Sequence, residues 1–223
     1  RSERGFVMEA RFTSLADLAR LPYFELRDGE LAIRETSRIP VIDVHTHLAM
    51  SFVLPPQIDL RAPTPLVEHY LPRDTPLDLD VYINRNFRPH DLSRTKHDLT
   101  IASLTAGGIR RTHTVPNLVR EMEALGVRHS VILPIDFPFF SRNAESTLAA
   151  VHGEPRLIGF GSVHPYAPNL ERRLDAQVAL GARGIKVHPA VQLVGPENER
   201  ALRLYRLCAE RRLPVLIHCG PVG

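Results

Sequence analysis

The run Val41-Ile42-Asp43-Val44-His45-Thr46-His47-Leu48 places two imidazoles one residue apart at the end of a β-branched apolar stretch. Side chains two apart on a strand share a face, so Val41, Asp43, His45 and His47 point one way and Ile42, Val44, Thr46 and Leu48 the other. Two rings on one face near a strand end can reach one ion, and neutral imidazole is a standard zinc ligand. Asp43, deeper on that face, could accept an N–H from a ligand ring and fix its tautomer. The spacing alone is weak: with 11 histidines in 223 residues, such a pair arises by chance in roughly every second chain of this composition. Position is what gives it weight. The plain alternative, two surface histidines at a strand end, leaves unexplained why other apolar runs also end in histidine.

His218 closes the run Leu213-Pro214-Val215-Leu216-Ile217 and is the natural third metal ligand, against the alternative of a hydrogen-bonded core histidine. Alternation sends the neighbouring Cys219 to the other face, where it reads as a packing thiol. Gly184-Ile185-Lys186-Val187-His188 puts Lys186 and His188 on one face. Of the 28 basic residues only Lys96 and Lys186 are lysines, so this sequence uses Arg wherever a plain positive charge will do. An amine kept on an apolar strand points to chemistry that a guanidinium cannot perform. Burial would lower its pKa and make it reactive. It could form a carbamate that bridges two metals, or bind an anionic substrate; the alternative is an ammonium that reaches solvent at the strand end. Lys186 and His188 are therefore the catalytic candidates. His164 and His188 each precede a proline, where strand turns into loop, and His164 is a candidate substrate contact. Arg61, Arg85 and Arg88 are candidate anion binders, with solvated loop charge as the alternative for each.

The elements that must position these groups follow from periodicity. Residues 23–34 read as a hairpin turned by Asp28-Gly29 within an N-terminal extension, residues 1–38. The body, 39–223, opens with the strand Ile39 to His47. A polar, Pro-rich stretch, 49–113, is far too long for an ordinary strand-to-helix connection and is expected as an insertion over the active-site face. Inside it, residues 91–108 look helical, with Asp91 as N-cap and Gly107-Gly108 as stop. Thr114 and Pro116 then open a helix that ends at Leu125-Gly126. Helices near 142–152, 169–180 and 197–212 alternate with apolar strands, the signature of a parallel sheet covered by helices. Five strands end in His47, Asp136, His164, His188 and His218, and such sheets bind ligands at that end. No Gly-rich phosphate loop follows the first strand, which favours a (β/α)8 TIM-type barrel over an open nucleotide-binding sheet. Only the first five βα units of that α/β barrel are present. With no initiator Met and an end directly after the fifth strand, the chain is expected to be part of a longer protein.

Composition excludes little else. At 43% hydrophobic and 24% charged, the chain falls in the ordinary globular range, and its net charge of +3 is spread without a basic run that would suggest nucleic acid. No apolar run approaches membrane-spanning length, and the start has no secretory-type core. Two cysteines make no disulfide framework, so a reducing cytoplasm is the default compartment.

At the stretches VIDVHTHL, LIGFGSVHP, GARGIKVHP and LPVLIHCG the sequence resembles the amidohydrolase superfamily, and within it the aminocarboxymuconate-semialdehyde decarboxylase-like metal-dependent hydrolases. The likeness covers about 39–48 and 114–220. It implies a (β/α)8 barrel with one or two metal ions at the strand C-termini. The first-strand pair of the family matches His45 and His47, and its fifth-strand histidine matches His218. Lys186 is placed like the carboxylated lysine of some branches, although the decarboxylase branch does not use that lysine as a ligand. The family's sixth-strand histidine and eighth-strand aspartate have no counterpart here, so this chain by itself is expected to be catalytically incomplete. The resulting expectation is a metal-dependent hydrolase of a small ester, lactone or amide. Zinc is the first choice of divalent ion, with manganese or iron as substitutes. The partner is a small-molecule substrate, with neither nucleic acid nor membrane, and a homodimer is compatible. The alternatives are a non-oxidative decarboxylase of an unsaturated or aromatic acid, or a non-catalytic scaffold.

Overall fold

Five short parallel strands, each followed or preceded by an amphipathic helix, form the frame that carries the polar strand ends. The computed structural model describes residues 12, 14–34, 40–51, 57–71, 77–78, 86–137 and 141–219. The chain divides into two units, one drawn from residues 1–38 and 70–93, the other from 39–69 and 94–222. The 49–113 stretch, expected as a single insertion, is thus split between them. Its residues 57–69 and 94–113 belong to the strand-bearing unit.

In the first unit, β1 (Phe24–Arg27) pairs antiparallel with β2 (Glu30–Ile33). Asp28 and Gly29 both take positive φ, 51° and 80°, as a two-residue hairpin loop that follows strand twist requires. Phe12 and Leu77, both buried, pair across the same unit.

In the second unit, β3 (Val41–Thr46), β4 (Val127–Ile132) and β5 (Leu157–Gly159) form one parallel sheet in that order. β6 (Ile185–Val187) and β7 (Val215–Ile217) form another parallel pair. A parallel bridge from Gly161 to Ile185 joins the two, with Gly161 N donating to Gly184 O and Lys186 N to Gly161 O, each at 2.8 Å. Neighbours in space are therefore neighbours in sequence, without the reversal of order that marks a doubly wound sheet.

The connecting helices are α2 (Val115–Leu125), α3 (Asn143–Val151), α4 (Leu170–Ala179) and α6 (Glu199–Glu210). Thr114 occupies the N-cap of α2, and Gly126 ends it in the left-handed region at φ 69°. α1 (Pro89–Leu99) starts two residues before Asp91, so Asp91 lies in the first turn rather than at the expected cap. A four-residue helix, α5 (Pro189–Gln192), follows β6 directly. Among the described residues no helix is long and apolar enough to cross a membrane.

The helices cover one face of the sheet. Ile132, Leu157, Val115, Met122 and Val151 close one buried cluster there, and Ile185, Val187, Leu174 and Leu204 close another. Leu48, Ala49 and Leu60 join the first, so the chain leaving His47 is anchored at once. It is pinned further by Asn143, which donates to Ser51 O and Ile135 O and accepts from Ser51 N, all at 2.8 Å. The buried Arg110 guanidinium donates to the carbonyls of Met50, Ala102 and Thr105. Arg110 is itself set by Asp98, which accepts the N–H groups of Ile109 and Arg110. Gly108 must be glycine for this: a Cβ there would fall 1.8 Å from Asp98 Oδ1, and its φ is 85°.

Candidate metal centre

Alternation on β6 and β7 decides which side chains meet. Ile185 and Val187 go to the helices, so Lys186 between them faces the other way. Lys186 pairs in register with Leu216, which packs against the cluster of Val131, Leu133 and Phe160. On β4, Ile132 goes to the helices, and Val131 and Leu133 turn inward. The inner face is thus a small apolar floor with polar residues at the strand ends. Gly184 lets that floor close, because a Cβ on it would meet the Phe160 ring at 2.4 Å.

His47 Nδ1 lies 2.6 Å from the Leu133 carbonyl oxygen. A carbonyl only accepts, so the proton sits on Nδ1 and Nε2 keeps its lone pair, the tautomer a metal ligand needs. Strand pairing sets this bond, since Leu133 N donates to Thr46 O at 2.9 Å. Burial pushes the His47 pKa down to about 4, which keeps the ring neutral. His45 is more exposed, and its pKa is lowered by burial first, then by Lys186 and His218. Asp43 does not hold a ring, as alternation suggested it could. Its two oxygens accept His45 N (2.8 Å) and Thr46 Oγ1 (2.7 Å), where the pairing of β3 with β4 shifts register.

The His45 and His47 ring centres are 5.0 Å apart at 71°, and those of His45 and His218 are 6.3 Å apart at 89°. An ion about 2.0–2.1 Å from each nitrogen sits roughly 3.2 Å from each ring centre, so two tetrahedral co-ligands have centres about 5.2 Å apart. The first pair matches that spacing, and the second is about 1 Å wide of it. Among the described residues no three His, Cys, Asp or Glu side chains close into a preformed cage. The donors still fit a divalent ion in kind: three imidazoles on one face, one of them with its proton held away from the site. His188 stacks on His218 at 3.9 Å and 13°. That is closer than the roughly 5 Å of co-ligands, so as placed these two rings do not share an ion.

His188 has the opposite tautomer to His47. Its Nδ1 accepts from Val191 N at 3.4 Å, which leaves the proton on Nε2. Burial, then His218 and Lys186, push its pKa down to about 4. Lys186 is 0% exposed, and its Nζ has no hydrogen-bond partner among the described residues. Burial lowers its pKa to about 8, and its charge opposes protonation of His45, His47 and His188. Cys219 is exposed and acts on Lys186 electrostatically, so it is no packing thiol. β7 ends at Ile217, and the alternation used to place Cys219 stops there.

The remaining expected contacts do not join these residues as the sequence suggested, where they can be placed. His164 is buried with both ring nitrogens occupied by backbone: Nδ1 accepts from Tyr166 N (3.1 Å) and Nε2 meets Gln192 O (2.8 Å). Nothing on that ring is left for substrate. The Arg61 guanidinium donates to Ala149 O on α3, and Arg88 Nε donates to Asp91 at 2.7 Å. Arg85 lies outside the described residues.

Gln192 went unnoticed in the sequence. Its Oε1 accepts His188 N (2.9 Å) and its Nε2 donates to Asp136 O (2.8 Å), while its own carbonyl meets His164. One side chain thereby ties the ends of β4 and β6 and sets the His188 backbone. Only its place four residues after His188 could have suggested this. Asp136 itself accepts Ser141 Oγ and Ala144 N at the start of α3, and burial pushes its pKa up to about 7.

A protein-family model described as Amidohydrolase matches residues 42–223. No curated protein matches. Among solved structures the chain is similar to a probable 2-pyrone-4,6-dicarboxylic acid hydrolase from Acinetobacter baumannii with citric acid bound, at 16% identity and a TM-score of 0.44. The alignment covers 82% of this chain and 51% of that one, so this chain spans about half its length.

Proposed function

This chain belongs to the amidohydrolase family, and on that premise we propose a metal-dependent hydrolase whose divalent ion is held by His45, His47 and His218. The observation that supports this most is the His47 Nδ1–H bond to Leu133 O, which leaves Nε2 for an ion beside two further imidazoles. A nitrogen-only donor set favours zinc over the harder divalent ions, with manganese or iron as substitutes. When bound, the ion supplies Lewis acidity to a water and to the scissile carbonyl. The parallel strand order supports placing these residues at the mouth of a (β/α)8 barrel.

The chain's own groups do the rest. Burial keeps His47 and His188 neutral at physiological pH, one as a lone-pair donor and one as an N–H donor. Lys186 and His188 meet the substrate, a small ester, lactone or amide, and the floor of Val131, Leu133, Phe160 and Leu216 accepts its hydrocarbon part.

Metal-free full-length protein, with the sixth- to eighth-strand residues that the resemblance implies, reconstituted with zinc, manganese or iron(II), should hydrolyse members of a panel of small esters, lactones and amides. Activity should scale with bound metal, and label from 18O-water should appear in the acid product. Release of CO2 from an unsaturated or aromatic acid, without water addition, would make it a decarboxylase instead. Absence of stoichiometric metal binding would make it a scaffold and overturn the proposal.

A further inference from the structure

The structure assigns a phosphate-binding groove between the exposed sides of α4 and α6, with Arg172, Arg200 and Arg203 as its donors. The groove is separate from the proposed metal centre and does not depend on the hydrolase reading.

A cavity of about 670 Å³ is lined by residues between 165 and 175 and by Arg200 and Arg203 on α6. That volume lies within the range of small-molecule sites, about 300–1,000 Å³. Leu170, Leu174 and Leu204 pack α4 and α6 onto the helix-backed face of β6, and none of His45, His47 and His218 lines the cavity. Its charges are already sorted. The two carboxylates in its wall, Glu171 and Asp175, accept from the Arg211 guanidinium at 3.1 and 2.6 Å. Three guanidiniums in the same wall are left to face the cavity against carboxylates that Arg211 already engages. Arginines on a helix are usually just solvated, but here one is held in place. The Arg200 guanidinium lies over the Tyr166 ring, 4.9 Å from its centre, and Asn198 Nδ2 donates to Tyr166 Oη at 3.1 Å. A donor fixed in this way loses less freedom on binding. The first turn of α4 adds its N–H groups, since Asn169 at the N-cap makes no side-chain cap bond.

Three planar donors match the three oxygens and double charge of a phosphate ester, whereas a monocarboxylate would leave at least one guanidinium uncompensated. Pro165 and Pro168, also in the wall, give an apolar surface for an attached organic group.

The test is calorimetry on the full-length protein stripped of metal by chelation, so that no ion takes up the probe. The probes are adenosine 5′-monophosphate, ribose 5-phosphate and inorganic phosphate, with adenosine as control. The wild type should bind at least one of the phosphates on the order of ten-fold or more tighter than adenosine. Arg172→Gln, Arg200→Gln and Arg203→Gln should each weaken that binding on the order of ten-fold. Arg206→Gln removes the same charge from an exposed position of α6 outside the cavity, and should change it by less than about two-fold. All four variants replace exposed side chains, so their unfolding midpoints should match the wild type. Tighter binding of either phosphate ester than of inorganic phosphate would identify an organic phosphate as the ligand, and equal affinity the free ion; both uphold the groove. Phosphate binding that is absent, or that Arg206→Gln weakens as much as the three cavity variants do, would overturn it. So would binding of an oligoglutamate peptide in place of all three phosphates, because the groove would then take an acidic protein segment.

Discussion

On the helix-backed face of β6, Ile185 and Val187 are 0% and 1% exposed among Leu170, Leu174 and Leu204; on the opposite face of the same strand Lys186 is just as buried, with no hydrogen-bond partner among the described residues. Equal burial carries opposite signs. Each apolar side chain on the outer face stabilises the fold by about 1.5–3 kcal/mol. An unpaired amine on the inner face destabilises it, and the neutral histidines beside it lose hydration that only partners can restore. Packing accounts for the outer face, and the proposed metal and substrate binding is what would account for the inner one.

The largest effects should separate the faces. His47→Ala or His218→Ala should weaken zinc binding by at least on the order of 100-fold, since removing only the groups behind a ligand already costs 10–100-fold. Metal-free stability should change little. Leu174→Ala on the outer face should cost about 2–5 kcal/mol in denaturant unfolding and leave the zinc affinity of the folded protein as it was. A comparable loss of zinc affinity in Leu174→Ala would break the comparison.

Acid should act chiefly through the inner face. His47 and His188 have folded pKa values of about 4 against 6.5 unfolded, so the unfolded chain binds more protons between those values. Their contribution is fully present above pH 6.5 and is lost as pH falls toward 4. Asp136 runs the other way. Its pKa, raised from 3.8 to about 7, makes its contribution largest at low pH, and that contribution is lost as pH rises through the same window. Two histidines outweigh one aspartate, so metal-free stability should climb from pH 4 to 6.5 in unfolding titrations. Asp136→Asn should steepen the climb.

Smaller effects should follow from residues whose polar atoms are already engaged. His164→Ala should cost about 1–3 kcal/mol of stability through the orphaned Tyr166 and Gln192 backbone groups, with zinc affinity unchanged. Arg61→Ala and Arg88→Ala should each move stability by no more than about 1 kcal/mol and leave zinc affinity where it was.

These contrasts also explain what could be read from sequence. The nearness of His45 to His47, and of Lys186 to His188, was legible from their two-residue spacing at a strand end, a local property. The end of α2 was legible in Gly126 because only a left-handed cap calls for that residue there. The scarcity of lysine singled out Lys186 before its burial was seen. His164 looked like His47 in sequence: each ends an apolar run. What separates them is the Gln192 carbonyl from 28 residues away and the Leu133 carbonyl from 86 residues away, long-range partners that no local pattern encodes. Cys219, two residues beyond β7, is exposed rather than packed, a property that alternation alone does not decide. The assignment of residues 70–93 to the N-terminal unit also depends on contacts distant in sequence.

The central claim, one ion on three imidazoles, is tested most directly by X-ray absorption at the zinc edge on reconstituted protein. The account predicts one zinc per chain with nitrogen neighbours at about 2.0–2.1 Å and the outer-shell scattering of three imidazoles, losing one imidazole in each of His45→Ala, His47→Ala and His218→Ala. A sulfur neighbour at about 2.3 Å, supplied by Cys219, or an all-oxygen shell untouched by these substitutions would contradict it.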